Sequence, residues 1–435
     1  MGEAVKLGGG GRLRVKNGAL EKYYAVQDSV DANNFIEFVN TATEDVQMSN
    51  LAQSIAGNER FAFTKINEEK AFIAYYTGKT STPVYGRVVT LNGKSIELGP
   101  ETMISAATAP TSSSKITKIG VTALECDKVF VTFMGTRNGT TDLQCVLCEI
   151  NEDVITINTD TMISGYSGLT TPIALDNQRV FLAMSGCCAV FTIDGENIIP
   201  GQKITDINFY YHLKVILLSN NKVLIVYSTS STSEKVYAVV CEVNGTTVTF
   251  GTSVQILSKK IYEVTDVVQF EDNRIIISFQ YGTSLEYPGF ITITVDGTTI
   301  TVGYSNALSD NIYQYLGSYM GLVVLKRFTI NNYIVALGST GGGAVKCIPI
   351  EITEDNAILF DEVKSFTNFP GHLLQVCQLA HDKALVVHAT DTTNYTQAGF
   401  VYVDGIQAAT TKIEGITKTK STSTKRGEVW QLQEV

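Results

Sequence analysis

The chain has 435 residues but only one Trp, eight Pro and four His, and charged residues make up 17% of it. The four His residues (His212, His372, His381, His388) form no i, i+4 pair, and no H-E-x-x-H, P-loop, G-x-S-x-G elbow or EF-hand loop occurs. No run of about 18 apolar residues is present, so no membrane span is expected. The start, Met1 to Gly11, is Gly-rich and lacks an apolar h-region, so no secretion signal is expected there. Lys and Arg number 33 against 43 Asp and Glu, a net charge of −10. That balance excludes a phosphate-reading nucleic-acid surface, which needs clustered cations. Long apolar patterns of period 3.6 with caps are missing, which argues against helices.

What is present is Thr, Ser, Asn and Gly in place of charge, with 44% apolar residues. This composition favours strands and turns. Eight Cys occur, several inside apolar runs such as Leu143-Gln-Cys-Val-Leu-Cys-Glu-Ile150, and they read as buried free thiols. Cys145 and Cys148 have C-x-x-C spacing, but on a strand their side chains point to opposite faces. No second pair or His cluster completes a zinc site, so no metal and no cofactor are expected.

Internal repetition decides the architecture. Asn or Asp followed by Gly recurs at Asn92-Gly93, Asp194-Gly195, Asn244-Gly245, Asp296-Gly297 and Asp404-Gly405, with Asn151-Glu152 and Glu354-Asp355-Asn356 filling the gaps. The period averages about 52 residues. Asn-Gly between alternating apolar runs predicts a type I′ hairpin. A second marker precedes each turn, a polar turn followed by an apolar run. It occurs seven times: AFIAYY after Lys70, VFVTF after Lys128, VFLAM after Arg179, VLIVY after Lys222, IIISF after Arg274, YIVAL after Asn332 and ALVVH after Lys383. Each unit reads as four strands. In the fifth these are Val264–Phe270, Arg274–Gln280, Gly289–Val295 and Thr298–Val302. The expected fold is all-β, a seven-bladed β-propeller of four-stranded antiparallel blades over residues 58–417. Stacking blades radially covers both faces of each sheet, which explains the continuous apolar runs.

Residues 1–57 stand outside the repeat and read as an N-terminal arm or clasp. Residues 418–435 read as a C-terminal tail, flexible over Thr419–Thr424. The run Phe35–Val39 is expected to pair with the seventh blade, whose own last strand, Ile406–Glu414, is weak in β-branched apolar residues.

In a propeller the turn from first to second strand and the turn from third to fourth share one face. Here both are short. The second-to-third connections read as longer and more varied, as in Gly78–Pro83, Gly135–Asp142, Tyr281–Pro288 and Thr390–Ala398. Irregular loops on a rigid face are where binding groups sit. Arg137, Asn138, Glu286 and Asn394 supply hydrogen bonds there, and Tyr281, Tyr287 and Tyr395 supply flat apolar surface with a polar tip. That mixture suits sugars. The S-x-D-x-G-x-T-W box of propeller sialidases is absent, and no pair of carboxylates stands out for glycoside chemistry. No catalytic residue is assigned, and the chain reads as a non-enzyme.

The opening pattern, Ala4-Val-Lys-Leu-Gly-Gly-Gly10, Glu21-Lys-Tyr-Tyr-Ala25, Asp31 and Asn34-Phe-Ile-Glu-Phe-Val39, resembles virion proteins of tailed phages and prophages of Firmicutes. The repeat form of Lys222–Gly251 resembles repeats in tail-fibre, baseplate and other virion-surface proteins of such phages and phage-tail-like particles. The resemblance implies a structural or adhesive role on a virion assembled in the bacterial host cytoplasm. The implied partners are other virion proteins through the N-terminal arm and host-surface carbohydrate, with no nucleic acid, no membrane insertion and no cofactor. A lectin-like adhesin is the alternative, and a hydrolase of wall polysaccharide a further one. In the second repeat, Asn151-Glu152-Asp153 departs from the Asn-Gly pattern, and the third repeat is shortened around Cys187-Cys188.

Overall fold

A computed structural model describes residues 61–76, 82–92, 95–108, 119–124, 127–166, 168, 170–206, 211–218, 221–229, 235–258, 261–281, 287–307, 319–325, 333–339, 344–353, 356, 358–360, 364–370, 374–380, 383–389 and 396–404. It also describes five N-terminal strands between 7 and 48 and two C-terminal strands, 414–417 and 426–431. The chain divides into two compact units. One comprises Gln47–Lys326 and Asn332–Tyr402, the other Met1–Val46, Arg327–Asn331 and Val403–Val435.

The fold is all-β, antiparallel and propeller-like. Seven sheets follow one another along the chain, and in the first six the strands are ordered as they occur in sequence. The second strands are Lys70–Tyr76, Lys128–Arg137, Arg179–Met184, Lys222–Ser228, Arg274–Tyr281, Tyr333–Ser339 and Lys383–Ala389, the seven apolar runs of the sequence. Their central residues are mostly apolar, and in the first sheet both faces are covered. In the first sheet, Phe72, Ala74 and Tyr76 pack with Val129, Val131 and Phe133 of the second. The alternate residues Ala71, Ile73 and Tyr75 pack with Leu379, Leu385 and Val387 of the seventh. Burial of each large side chain contributes about 1.5–3 kcal/mol. Cys145 and Cys148 face opposite clusters, as strand alternation requires.

The first strands touch in succession: Phe61–Lys65, Gly120–Ala123, Thr170–Ala174, Tyr211–Leu217, Ile261–Glu271, Tyr319–Leu325 and Leu374–Ala380, and the last of these also meets Phe61–Lys65. Among the described residues their free edges have no strand partner, and side chains cap three of them. Thr64 Oγ1 accepts from Ala123 N at 3.2 Å, Thr122 Oγ1 from Ala174 N at 3.0 Å and Asp266 Oδ2 from Leu322 N at 2.9 Å. Asp266 is half-buried, and desolvation raises its pKa, with Lys214 and the two main-chain donors acting in the opposite sense.

At one end of the sheets a second device repeats. The residue before each basic one accepts a main-chain bond from the end of the third strand: Leu91 N to Glu69 O, Ile150 N to Asp127 O, Ile193 N to Gln178 O, Val243 N to Asn221 O and Val295 N to Asn273 O. The basic residue itself reaches the third-to-fourth turn of the next sheet. Lys70 Nζ donates to Glu152 O at 3.0 Å, Arg179 Nη1 to Gly245 O at 2.9 Å and Arg274 Nη2 to Thr353 O at 2.6 Å. In the third, fourth and fifth sheets this turn places glycine first of its two central residues, with φ of 62° at Gly195, Gly245 and Gly297. Positive φ there alone is the type II′ pattern, which replaces the type I′ turn expected from Asn/Asp-Gly. Glu152 takes the same place in the second sheet with φ 56°. The fourth strand then breaks at a glycine. Gly201 N bonds Val190 O at 2.9 Å, and a Cβ at Gly201 would lie 2.3 Å from that oxygen.

The fourth strand of the seventh sheet is Asp45–Met48, which pairs with Thr396–Asp404. This corrects the expectation for Phe35–Val39. Phe35–Glu37 pairs instead with Glu414–Thr417, in a six-stranded sheet built from both chain ends. In that sheet Ala19–Val26 pairs with Arg426–Gln431, opposing Glu21 and Trp430. Residues 405–413, the first part of the strand expected at Ile406–Glu414, lie outside the described residues.

Candidate functional site

The sequence-predicted residues do not form one cluster. Arg137 ends the second strand of the second sheet. Asn138 and Gly139, with φ of 51° and 80°, make a two-residue hairpin that joins Arg137 to Thr140. The connection expected to be a loop over Gly135–Asp142 is therefore a tight type I′ hairpin, the turn for which Asn-Gly is suited. Arg137 is tied to the Asp160 carboxylate by a short ion pair, and its Nη2 also donates to Ser105 Oγ of the first sheet at 3.4 Å. This guanidinium joins two sheets. Tyr281 and Tyr287 oppose each other at the ends of paired strands in the fifth sheet. Glu286, Asn394 and Tyr395 lie outside the described residues.

A different cluster comes together on the first sheet, on the face toward the seventh. Tyr75 of the second strand and Tyr85 of the third stack with ring centroids 6.5 Å apart and planes 26° apart. Both belong to the face that carries Ile73, Val89 and Leu91. Strand alternation puts Arg87, two residues after Tyr85, on the same face. The fourth strand is interrupted between Ser95–Leu98 and Thr102–Ser105, and Glu101 stands in that break. The Tyr75 hydroxyl donates to Glu101 Oε2 at 2.5 Å. Arg87 Nη2 approaches the same oxygen only to 3.8 Å. Arg87 Nε is buried and has no hydrogen-bond partner among the described residues. Burial holds the Tyr75 phenol above its usual pKa; the Glu101 hydrogen bond and charge add to this, and Arg87 opposes it.

The fourth sheet repeats this ladder at the same spacing. Tyr227 and Tyr237 stack at 5.8 Å, and the Tyr227 hydroxyl bonds Ser253 Oγ at 2.7 Å. Ser253 also sits in a strand break, between Thr247–Phe250 and Val254–Leu257. Valine 239 holds the place of Arg87. The signal that reveals the ladder in the sequence is a tyrosine, a second one ten residues on, and a polar residue twenty-six on.

The thiols are poor nucleophiles. Burial pushes Cys148 and Cys241 up to about 12 and Cys377 up to about 11. Among the described residues no group of His, Cys, Asp and Glu is placed to hold a metal ion.

No family model matches the chain, and no curated protein matches it. Solved structures do resemble it. A chain of the S. cerevisiae core factor matches at 11% identity and a TM-score of 0.51, over 87% of this chain and 63% of that one. A Lactobacillus plantarum protein matches at 9% identity and a TM-score of 0.51, over 84% of this chain and 99% of that one. The NanB sialidase of Streptococcus pneumoniae matches at 12% identity and a TM-score of 0.46, over 82% and 70%. The first two likenesses establish shared fold.

Proposed function

We propose that the chain is a non-enzymatic virion structural protein of a tailed phage or phage-tail-like particle. In this reading residues 58–417 supply a seven-bladed propeller, closed by Asp45–Met48, that meets host-surface carbohydrate. The arm within residues 1–57 and the tail from residue 418 dock it on a tail, baseplate, neck or capsid component. The observation that carries the reading is the separate sheet woven from both chain ends, in which Ala19–Val26 pairs with Arg426–Gln431. A sheet made of non-repeat sequence is free to serve attachment while the repeat sheets keep their own closing strand. Lack of catalysis is supported by Arg137, which is engaged between sheets, and by thiols held protonated at neutral pH.

Deleting residues 1–33 removes three of the six strands of the terminal sheet, Ala19–Val26 among them, but keeps Asp45–Met48. The truncated chain is expected to fold, by circular dichroism, and to be missing from particles assembled in a host that lacks the intact gene. Normal incorporation overturns the docking role. A lectin-like adhesin, with binding as its main task, is the second reading, favoured by the tyrosine ladder of the first sheet.

A further inference from the structure

We infer that Tyr85, Arg87 and Glu101 form a binding site for a neutral saccharide, which they take through a vicinal diol. This rests on the carbohydrate-contacting part of the proposed function. The decisive feature is an ion pair that does not close. Elsewhere in the molecule arginine and carboxylate meet at contact distance, 3.0 Å for Arg274–Glu271 and 2.6 Å for Arg179–Asp176. Arg87 and Glu101 stand at 3.8 Å, although each keeps only a minor part of its side chain in solvent, 22% and 31%. Both contacts of the carboxylate fall on Oε2, so Oε1 remains an acceptor. Arg87 Nε is a buried donor with nothing to receive its proton. A buried donor left unmatched is costly, yet this guanidinium is held in place without full satisfaction, and its Nη2 faces the open gap to Glu101.

A pair of neighbouring hydroxyls fits this arrangement. Each hydroxyl both donates and accepts, so the pair can accept from the guanidinium and donate to the carboxylate at once. Tyr85 is half-buried and stacked on Tyr75, which gives the apolar C–H face of a pyranose a fixed ring to lie on. The two charges cancel locally and the chain carries −10 overall, so nothing here draws an anion. The fourth sheet shows what the ladder is without the site: Ser253 closes on Tyr227, and a valine replaces the arginine.

The test is saturation-transfer NMR and calorimetry on the full chain, with a panel of methyl pyranosides and their deoxy analogues. At least one pyranoside is expected to bind and its analogue lacking one diol hydroxyl to fail. Arg87→Met and Glu101→Gln should each weaken binding roughly tenfold or more, in chains that still fold by circular dichroism. Ser253→Ala in the fourth sheet should leave it unchanged. Glu101→Gln keeps an acceptor for Tyr75, so it carries the test if Arg87→Met fails to fold. Binding that ignores both substitutions overturns this site and leaves the carbohydrate reading standing. No pyranoside bound at all overturns the site and the carbohydrate reading together, whatever the outcome of the 1–33 deletion.

Discussion

The first and fourth sheets carry the same tyrosine ladder and finish it differently. In the fourth, a neutral hydroxyl pair of 2.7 Å ends the ladder beside a valine. In the first, a carboxylate accepts the tyrosine hydroxyl's hydrogen bond at 2.5 Å and an arginine stands off at 3.8 Å. The stacked rings serve inter-sheet packing in both places, and in the first the half-buried Tyr85 also keeps part of its ring in solvent. What differs is one residue on the third strand and one in the break of the fourth. Those are positions where a repeat can change its chemistry without disturbing its core.

The largest expected effect tests the shared part. Tyr75 and Tyr227 are 1% and 4% exposed. Replacing either by Ala should cost about 3–5 kcal/mol, by analogy with other large aromatic truncations. Urea denaturation should give similar losses for the two. A loss at Tyr75 far smaller than at Tyr227 would mean that the first ladder is not part of the core.

The hydroxyls separate the sheets. Tyr75→Phe removes a hydrogen bond to a charged acceptor and should cost about 1.5–3 kcal/mol; Tyr227→Phe removes one between neutral groups and should cost about 1 kcal/mol. The same denaturation series checks the order, and equal costs would erase the distinction between the ladders.

The smallest effect is in the pH dependence. Both phenols have raised pKa values in the folded chain, from burial first. Their contribution is complete below the unfolded tyrosine value of about 10 and declines above it, because the unfolded chain then loses protons that the folded chain keeps. Buried thiols, with Cys148 and Cys241 at about 12, start the same decline from about pH 8.5. Stability should fall from about pH 8.5 and more steeply past about 10, as read by urea denaturation across that range. Tyr75→Phe and Tyr227→Phe should each flatten the steeper part.

The seven second strands were legible in the sequence because covered faces demand unbroken apolar runs, and runs such as Val223-Leu-Ile-Val226 are local. Strands that pair far along the chain were not. Asp45–Met48 is short and half polar, so nothing in it marks a partner at Thr396–Asp404, whereas the more apolar Phe35–Val39 drew the assignment. Asn138-Gly139 carried a hairpin signal that was read as loop because the flanking Thr and Asp residues are polar. In the ladder, Tyr75 lies inside the run AFIAYY and is indistinguishable from core until its neighbours across the sheet are known.

The Asp45–Met48 strand also sets a schedule. It leaves the ribosome before the first repeat, yet its partner Thr396–Asp404 follows six intervening sheets. A nascent chain must therefore hold this strand uncommitted until those sheets have emerged, and the seventh sheet is completed only after them.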